Sequence, residues 1–295
     1  MASFAQPVDL DVLLGTDAAD ARALLGAAEV LTAVPLSRFR APTDPRLAYR
    51  LELADGSAVK VRRVRNAECA RRVVAILDAA NEMDFGRVVG VRGRVLIEAW
   101  IAGTPAGSLP DRSVLVEAGA LLGRLHAVTR VGGAEVRRRE PASKEVHVLE
   151  GHLEELIAGR ILTGAVRDDI LLRAGMFRPA WFTDGVRHGD FCGENLILAT
   201  DGHLCSVDNA DCGFGALEAD LARCLHRWNL DGAQRHALLQ GYAQAGDPSR
   251  MIEHEVFWRI RALASSAAYR LRAGDYATSL LRVASLADLA IERTA

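Results

Sequence analysis

Asp190, Asn195 and Asp208 are the residues whose types and spacing could carry chemistry, in the stretch HGDFCGENLILATDGHLCSVDNADCGFGALEADLA from His188 to Ala222. Gly189 and Gly193 let the backbone turn tightly, bringing the Asp190 carboxylate and the Asn195 amide oxygen towards one point. Leu196 to Leu198 is a short apolar run, Asp201-Gly202 a turn signal, and Leu204 to Val207 a return strand ending at Asp208. A hairpin of that length brings the chain back to its start, which delivers Asp208 close to Asn195. Two hard oxygen donors suit Mg²⁺, with water and phosphate filling its other positions. Asp190 is not needed for the metal and is placed to accept a proton from an incoming hydroxyl.

These residues resemble the catalytic and metal-binding loops of the aminoglycoside phosphotransferase and choline kinase-like family, small-molecule relatives of protein kinases. The family pattern is HGD, four residues, Asn, a hairpin, Asp, and then a glycine-containing loop ending in Asp-Leu-Ala. It is met here by His188, Gly189, Asp190, Asn195, Asp208, Gly213, Gly215 and Asp220-Leu221-Ala222. The resemblance implies an α+β, two-lobed protein-kinase-like fold, with a small antiparallel-sheet lobe and a larger, mainly helical lobe. It implies ATP or GTP as co-substrate, Mg²⁺ held by Asn195 and Asp208, and Asp190 as catalytic base. His188 orders the loop by hydrogen bonding, and Asp220 has a structural role.

Upstream elements must supply the nucleotide lobe. Leu47 to Leu53 alternates apolar and polar residues, Asp55-Gly56 signals a hairpin, and Ala58 to Val64 returns as a strand carrying Lys60. Only Lys60 and Lys144 are lysine among 36 basic residues. A lysine kept against an arginine background points to a need for its compact ammonium. By resemblance Lys60 pairs with the α- and β-phosphates, and Glu68, in the first turn of a helix over 66–80, is its candidate partner, with Asp78 and Glu82 as alternatives. LIEAWIAGTP resembles the family hinge, with backbone groups of Glu98, Ala99 and Trp100 reading an adenine edge. The family's glycine loop over the phosphates has no counterpart, since no glycine lies between Gly26 and Gly56. Arg38, Arg40 and Arg46 stand in that interval as substitute donors or as a solvated loop.

The lobe boundary is expected near residue 102, giving 1–102 as nucleotide lobe and 103–295 as catalytic and acceptor lobe. An amphipathic helix is expected over 113–128 and further helices over 147–161, 166–176, 217–228, 231–245, 249–273 and 275–293, with an exposed loop over 129–144. Glu253, Glu255 and Asp231 are candidates for an acidic rim that would attract a cationic acceptor, against the commoner reading of exposed helix charge.

A chain of 295 residues, half of them apolar, can bury a large core. With a formal net charge of −2, no global field recruits nucleic acid or an anionic membrane. Five cysteines without CxxC spacing argue against a zinc cage or disulfide framework. No long apolar run or leader pattern occurs, so a cytoplasmic monomer or homodimer is expected, binding a nucleoside triphosphate and a small hydroxylated acceptor. Only eleven residues separate Asp208 from Asp220, too few for a segment that docks a peptide. The acceptor is therefore read as an antibiotic, sugar, amino alcohol or related metabolite. The alternative is a catalytically weak or inactive nucleotide-binding pseudokinase.

Overall fold

Two short helices open the described chain, α1 (Leu10–Leu14) and α2 (Ala18–Leu25), the first begun by an Asp9 carboxylate that accepts the Asp11 N–H. The computed structural model describes residues 8–36, 47–80, 82–108, 111–228 and 230–291. The interval with Arg38, Arg40 and Arg46 lies outside them. Next come β1 (Val30–Pro35), β2 (Ala48–Leu53), β3 (Ala58–Arg63), α3 (Ala67–Ala79), α4 (Glu82–Phe85), β4 (Val88–Arg92) and β5 (Val95–Ala99). The strands form one antiparallel sheet in the order β1-β2-β3-β5-β4.

Side chains alternate across a strand, so this sheet has two chemically different faces. Tyr49, Leu51, Val61, Val95 and Ile97 are buried in one cluster with Leu10, Leu14, Ala18 and Ala21 of the two helices. The residues between them, Arg50, Lys60, Arg62 and Glu98, share the opposite face. The apolar alternation thus fixes where four charged side chains must point.

The chain continues through β6 (Gly103–Pro105), α5 (Arg112–His126), β7 (Arg130–Val131), β8 (Ala134–Glu135), β9 (Arg138–Pro141), α6 (Ser143–Ala158), α7 (Gly164–Phe177) and β10 (Trp181–Arg187). It ends with β11 (Leu196–Ala199), β12 (Leu204–Ser206), β13 (Gly213–Ala216), α8 (Leu217–Trp228), α9 (Gly232–Tyr242), α10 (Ser249–Glu253), α11 (Glu255–Arg272) and α12 (Tyr276–Ile291). Two compact units result: Met1–Ala106 with Asn195–Gly213, and Gly107–Glu194 with Phe214–Ala295. The division differs from a single cut at 102 because β6 pairs with β11, Gly103 opposite Ala199 and Pro105 opposite Ile197. That pairing keeps the chain in the first unit through Ala106 and ties the β11-β12 hairpin to it.

The second unit is mainly helical. Helices α5 and α9 approach so closely that a Cβ on Gly119 would lie 1.9 Å from the Leu238 carbonyl oxygen, and one on Gly241 would lie 1.8 Å from that of Val116. Only glycine permits that contact. The interval 129–144 is not a plain loop: Gly132 and Gly133, both at positive φ, turn a β7-β8 hairpin, and β9 pairs with β10. The Arg139 guanidinium lies 3.6 Å from the Trp181 ring centre in that pair. The helix expected over 249–273 is divided at His254 into α10 and α11.

Candidate active site

Lys60 stands on β3 opposite Glu98 on β5, and Arg50 on β2 is its neighbour on the other side. This register places the Lys60 ammonium 3.5 Å from a Glu98 carboxylate oxygen and 3.6 Å from Asp208 Oδ1. Arg62, two residues on and hence on the same face, donates to Asp208 Oδ1 at 2.6 Å and lies 3.7 Å from Glu98. Lys60, Arg62 and Glu98 are nearly buried, whereas the Asp208 side chain is 48% exposed. Burial disfavours the Arg62 charge, but the carboxylates of Glu98 and Asp208 outweigh it and hold its pKa above the usual arginine value.

Glu68 is not the partner of Lys60: it sits exposed in the first turn of α3, where its carboxylate suits the helix dipole. The cross-strand position of Glu98 is what displaces it. The hinge reading also changes, because Glu98 contributes a buried side chain and the next two backbone donors are already engaged. Ala99 N–H donates to the Arg87 carbonyl at 2.9 Å and Trp100 N–H to that of Ala58 at 3.4 Å. The half-buried Trp100 ring carries the Arg50 guanidinium 4.9 Å from its centre.

The hairpin closes as its sequence dictates. Leu196 pairs with Ser206, and Val207 N–H donates to the Asn195 carbonyl at 2.8 Å, which places Asp208 one residue beyond Asn195's partner. Asp208 adopts a left-handed conformation, φ 63° and ψ 40°, unusual outside glycine but best tolerated by Asp and Asn. Such a conformation persists where the surroundings over-determine it. Here Ser206 Oγ donates to Asn209 Oδ1, and Asn209 Nδ2 donates to the Phe85 carbonyl, fixing the chain on the far side of Asp208. Asn195 and Asp208 therefore share one end of the hairpin, and an amide and a carboxylate are hard oxygen donors of the kind that fits Mg²⁺.

In the second unit the loop after β10 is held from below. Asp220, in the first turn of α8, accepts the His188 N–H at 2.7 Å and the Gly189 N–H at 2.9 Å. His126 Nε2 lies 3.1 Å from Asp220 Oδ2, and His126 Nδ1 lies 2.7 Å from the Tyr242 hydroxyl. The close α5-α9 packing brings these last two together. Burial opposes the Asp220 charge, but the His126 hydrogen bond and the charges of His126 and Arg187 hold its pKa well below the usual carboxylate range. Gly189 takes φ 82°, the turn that aims the next residue. His188 is fully buried, packs edge-on against Phe191, and accepts the Asp190 N–H on Nδ1 at 3.2 Å.

Asp190 then meets two residues that sequence reasoning did not single out. Arg223 Nη2 lies 3.1 Å and Arg227 Nη1 3.3 Å from Asp190 Oδ1. They are four residues apart on α8, one face of a helix, and that spacing was the available signal. Two of the three carboxylates expected at an acidic rim have structural partners. Asp231 caps α9 in a reciprocal capping box with Gln234, Glu255 pairs with Arg235 at 2.5 Å, and Glu253 lies 3.8 Å from His254.

A family model described as the phosphotransferase enzyme family matches residues 73–254, more than half of the chain. No curated protein matches significantly in sequence. Among solved structures, macrolide 2'-phosphotransferase MphH from Brachybacterium faecium superposes with a TM-score of 0.63 at 17% identity, covering 97% of this chain and 99% of that one. A choline/ethanolamine kinase family protein from Mesorhizobium loti gives 0.64 at 18% identity, with 93% and 95% covered. An ethanolamine kinase from Plasmodium vivax gives 0.62 at 10% identity, with 87% and 82% covered. At such identities the likeness is one of fold, the α+β protein-kinase-like architecture.

Proposed function

The chain belongs to the phosphotransferase enzyme family and is a small-molecule phosphotransferase; from that premise we propose that it moves the γ-phosphoryl group of ATP or GTP onto a hydroxyl of a small acceptor. The observation that carries this reading is the meeting of Lys60 with Asp208 at the end of the Asn195 hairpin. Lys60 on β3 and Asp208 beyond β12 come from different sheets, and apart from their ion pair nothing in the core packing of the described residues gives them a reason to meet. Phosphate chemistry supplies one, since both are needed where negative charge must be neutralised.

Asn195 and Asp208 would hold Mg²⁺, which when bound neutralises phosphate charge. Lys60, steadied by Glu98, would bind the α- and β-phosphates. Arg50 and Arg62 share its sheet face and would add guanidinium donors in a chain whose sequence lacks the usual glycine loop. Asp190, aimed by the Gly189 turn and the Asp220 anchor, would orient the acceptor hydroxyl and take its proton. As the acceptor oxygen bonds to the γ-phosphorus, the bond to the β-phosphate oxygen breaks and the nucleoside diphosphate leaves. Positioning and charge stabilisation do most of the work in such transfers.

A screen of nucleoside diphosphate release over hydroxylated metabolites and antibiotics tests this, with Asp190→Ala as the blank. Acceptor-dependent release in the wild type and none in the variant is the expected outcome. Equal release in both would remove Asp190 from the chemistry.

A further inference from the structure

Arg223 serves two places at once. Its Nη2 holds Asp190, and the same side chain lines a small cavity of about 50 Å³ together with Arg187, Arg261, Asp220 and Ser265. A water needs roughly 10–15 Å³ on the same measure, so the cavity suits a group of carboxylate or phosphate size. Asp220 is the only carboxylate in that lining, and its oxygens already take the His188 and Gly189 N–H groups and the His126 contact. Three guanidiniums therefore dominate the lining.

Each guanidinium has a contact outside the lining: Arg223 with Asp190, Arg261 with Glu145, and Arg187 through its Nε hydrogen with the Phe214 carbonyl. Arg261 gives its Nε hydrogen to Glu145 at 2.7 Å, yet burial and the charges of Arg187 and Arg223 keep its pKa below the usual arginine value. Arg223 Nε is buried with no hydrogen-bond partner among the described residues. The surrounding field tells the same story. Burial and then Arg261, Arg272 and Arg223 push His152 down to about 4, and burial with Arg282, Arg259, Arg223 and Arg227 does the same to His226. Three clustered guanidiniums, one with an orphaned buried donor, repel one another and favour an anion among them.

We propose that this cavity takes the carboxylate or phosphate of an anionic acceptor, held by Arg187, Arg223 and Arg261 while Asp190 addresses the acceptor's hydroxyl. The assignment rests on the phosphotransfer reading above and narrows its substrate class. Because Arg223 spans cavity and carboxylate, an anion seated there leaves the remainder of a small molecule one guanidinium away from Asp190. Guanidinium forks bind such oxygens in bidentate fashion, which fixes orientation as well as charge.

Inorganic phosphate is the probe for the cavity, and acceptor pairs differing only in an anionic group, such as glycerate against glycerol or a sugar phosphate against its sugar, probe its purpose. By calorimetry, phosphate binding should weaken at least tenfold in Arg187→Gln and in Arg261→Gln. Nucleotide-dependent turnover, counted above the Asp190→Ala blank, should favour the anionic member at least tenfold in kcat/KM, and Arg187→Gln should erase that preference through KM. Phosphate binding unchanged in both arginine variants overturns the site. Phosphate binding combined with preference for neutral or cationic acceptors overturns its substrate role, leaving a pocket for free phosphate. Absence of turnover with every acceptor counts against phosphoryl transfer itself, while the phosphate titration still decides the cavity.

Discussion

Lys60 and Arg62 carry the same charge on the same strand face, and both lean on Glu98, a carboxylate only 7% exposed. Removing Glu98 leaves both cations to share the half-exposed Asp208, and breaking a buried pair typically costs about 3–5 kcal/mol. Glu98→Ala should therefore lower unfolding stability by roughly that amount in urea titrations, and it should weaken nucleotide binding because Lys60 loses its support. A loss below about 1 kcal/mol would mean that Asp208 alone steadies the cations. At this scale the acidic and amide groups were legible: the order Asp190, Asn195, Asp208 is rare enough to carry meaning. The arginines were not. Arg62, Arg223 and Arg227 belong to an arginine-rich chain, so their type says nothing; the spacing of Arg223 and Arg227 puts them on one helix face, but only tertiary pairing shows what that face meets. Lys144 shows the limit of the retained-lysine reasoning, since it makes an exposed pair with Glu140.

Elements explain how those side chains stay put. The α5-α9 contact through Gly119 and Gly241 sets the His126 to Tyr242 distance, and through His126 it supports the Asp220 anchor. Gly119→Ala places a Cβ against the Leu238 carbonyl oxygen, where backbone must move. Overpacking of this kind costs about 1–3 kcal/mol or more. The expected result is a lowered Tm together with a fall in kcat, whereas an unchanged Tm would show that the helices separate freely. Asp220→Asn tests the anchor directly: with its charge gone, kcat should drop at least tenfold while nucleotide affinity stays within about twofold, consistent with the roughly 1.5–3 kcal/mol typical of a hydrogen bond to a charged group. Strands β2 and β3 were readable because alternation and an Asp-Gly turn are local signals. Strands β9 and β10 were missed because WFTDGVR lacks clean alternation, and its partner lies across two intervening helices.

Under the proposed phosphotransfer the two units would divide the labour, the first holding Lys60, Asn195 and Asp208 for nucleotide and metal, the second Asp190 for the acceptor. The return of 195–213 to the first unit was illegible because it depends on β6 finding β11 from far along the chain. Charge is likewise uneven: a chain of net charge −2 concentrates arginine around α8. Acid stability follows from this. His226 falls from the ordinary 6.5 to about 4 in the folded state, so protonation favours the unfolded chain. Stability is full above pH 6.5 and declines as pH drops towards 4. Asp220 works in the opposite place, its depressed pKa preserving a contribution that is lost only as pH falls below the usual carboxylate value. Thermal unfolding between pH 7 and pH 4.5 should show a declining Tm, flattened in His226→Gln. A variant with the wild-type slope would contradict the role given to that histidine.

The proposed phosphotransfer assigns nucleotide and metal binding to Lys60, Asn195 and Asp208, and chemistry to Asp190. Measuring Mg²⁺-dependent nucleotide affinity and turnover side by side in Asp190→Ala and Asp208→Ala tests it most directly. Asp190→Ala should bind Mg²⁺-nucleotide within about twofold of wild type and release no diphosphate, while Asp208→Ala should lose at least tenfold in Mg²⁺-dependent affinity, about 1.4 kcal/mol. Wild-type turnover in Asp190→Ala, or undiminished Mg²⁺-dependent binding in Asp208→Ala, would contradict the account.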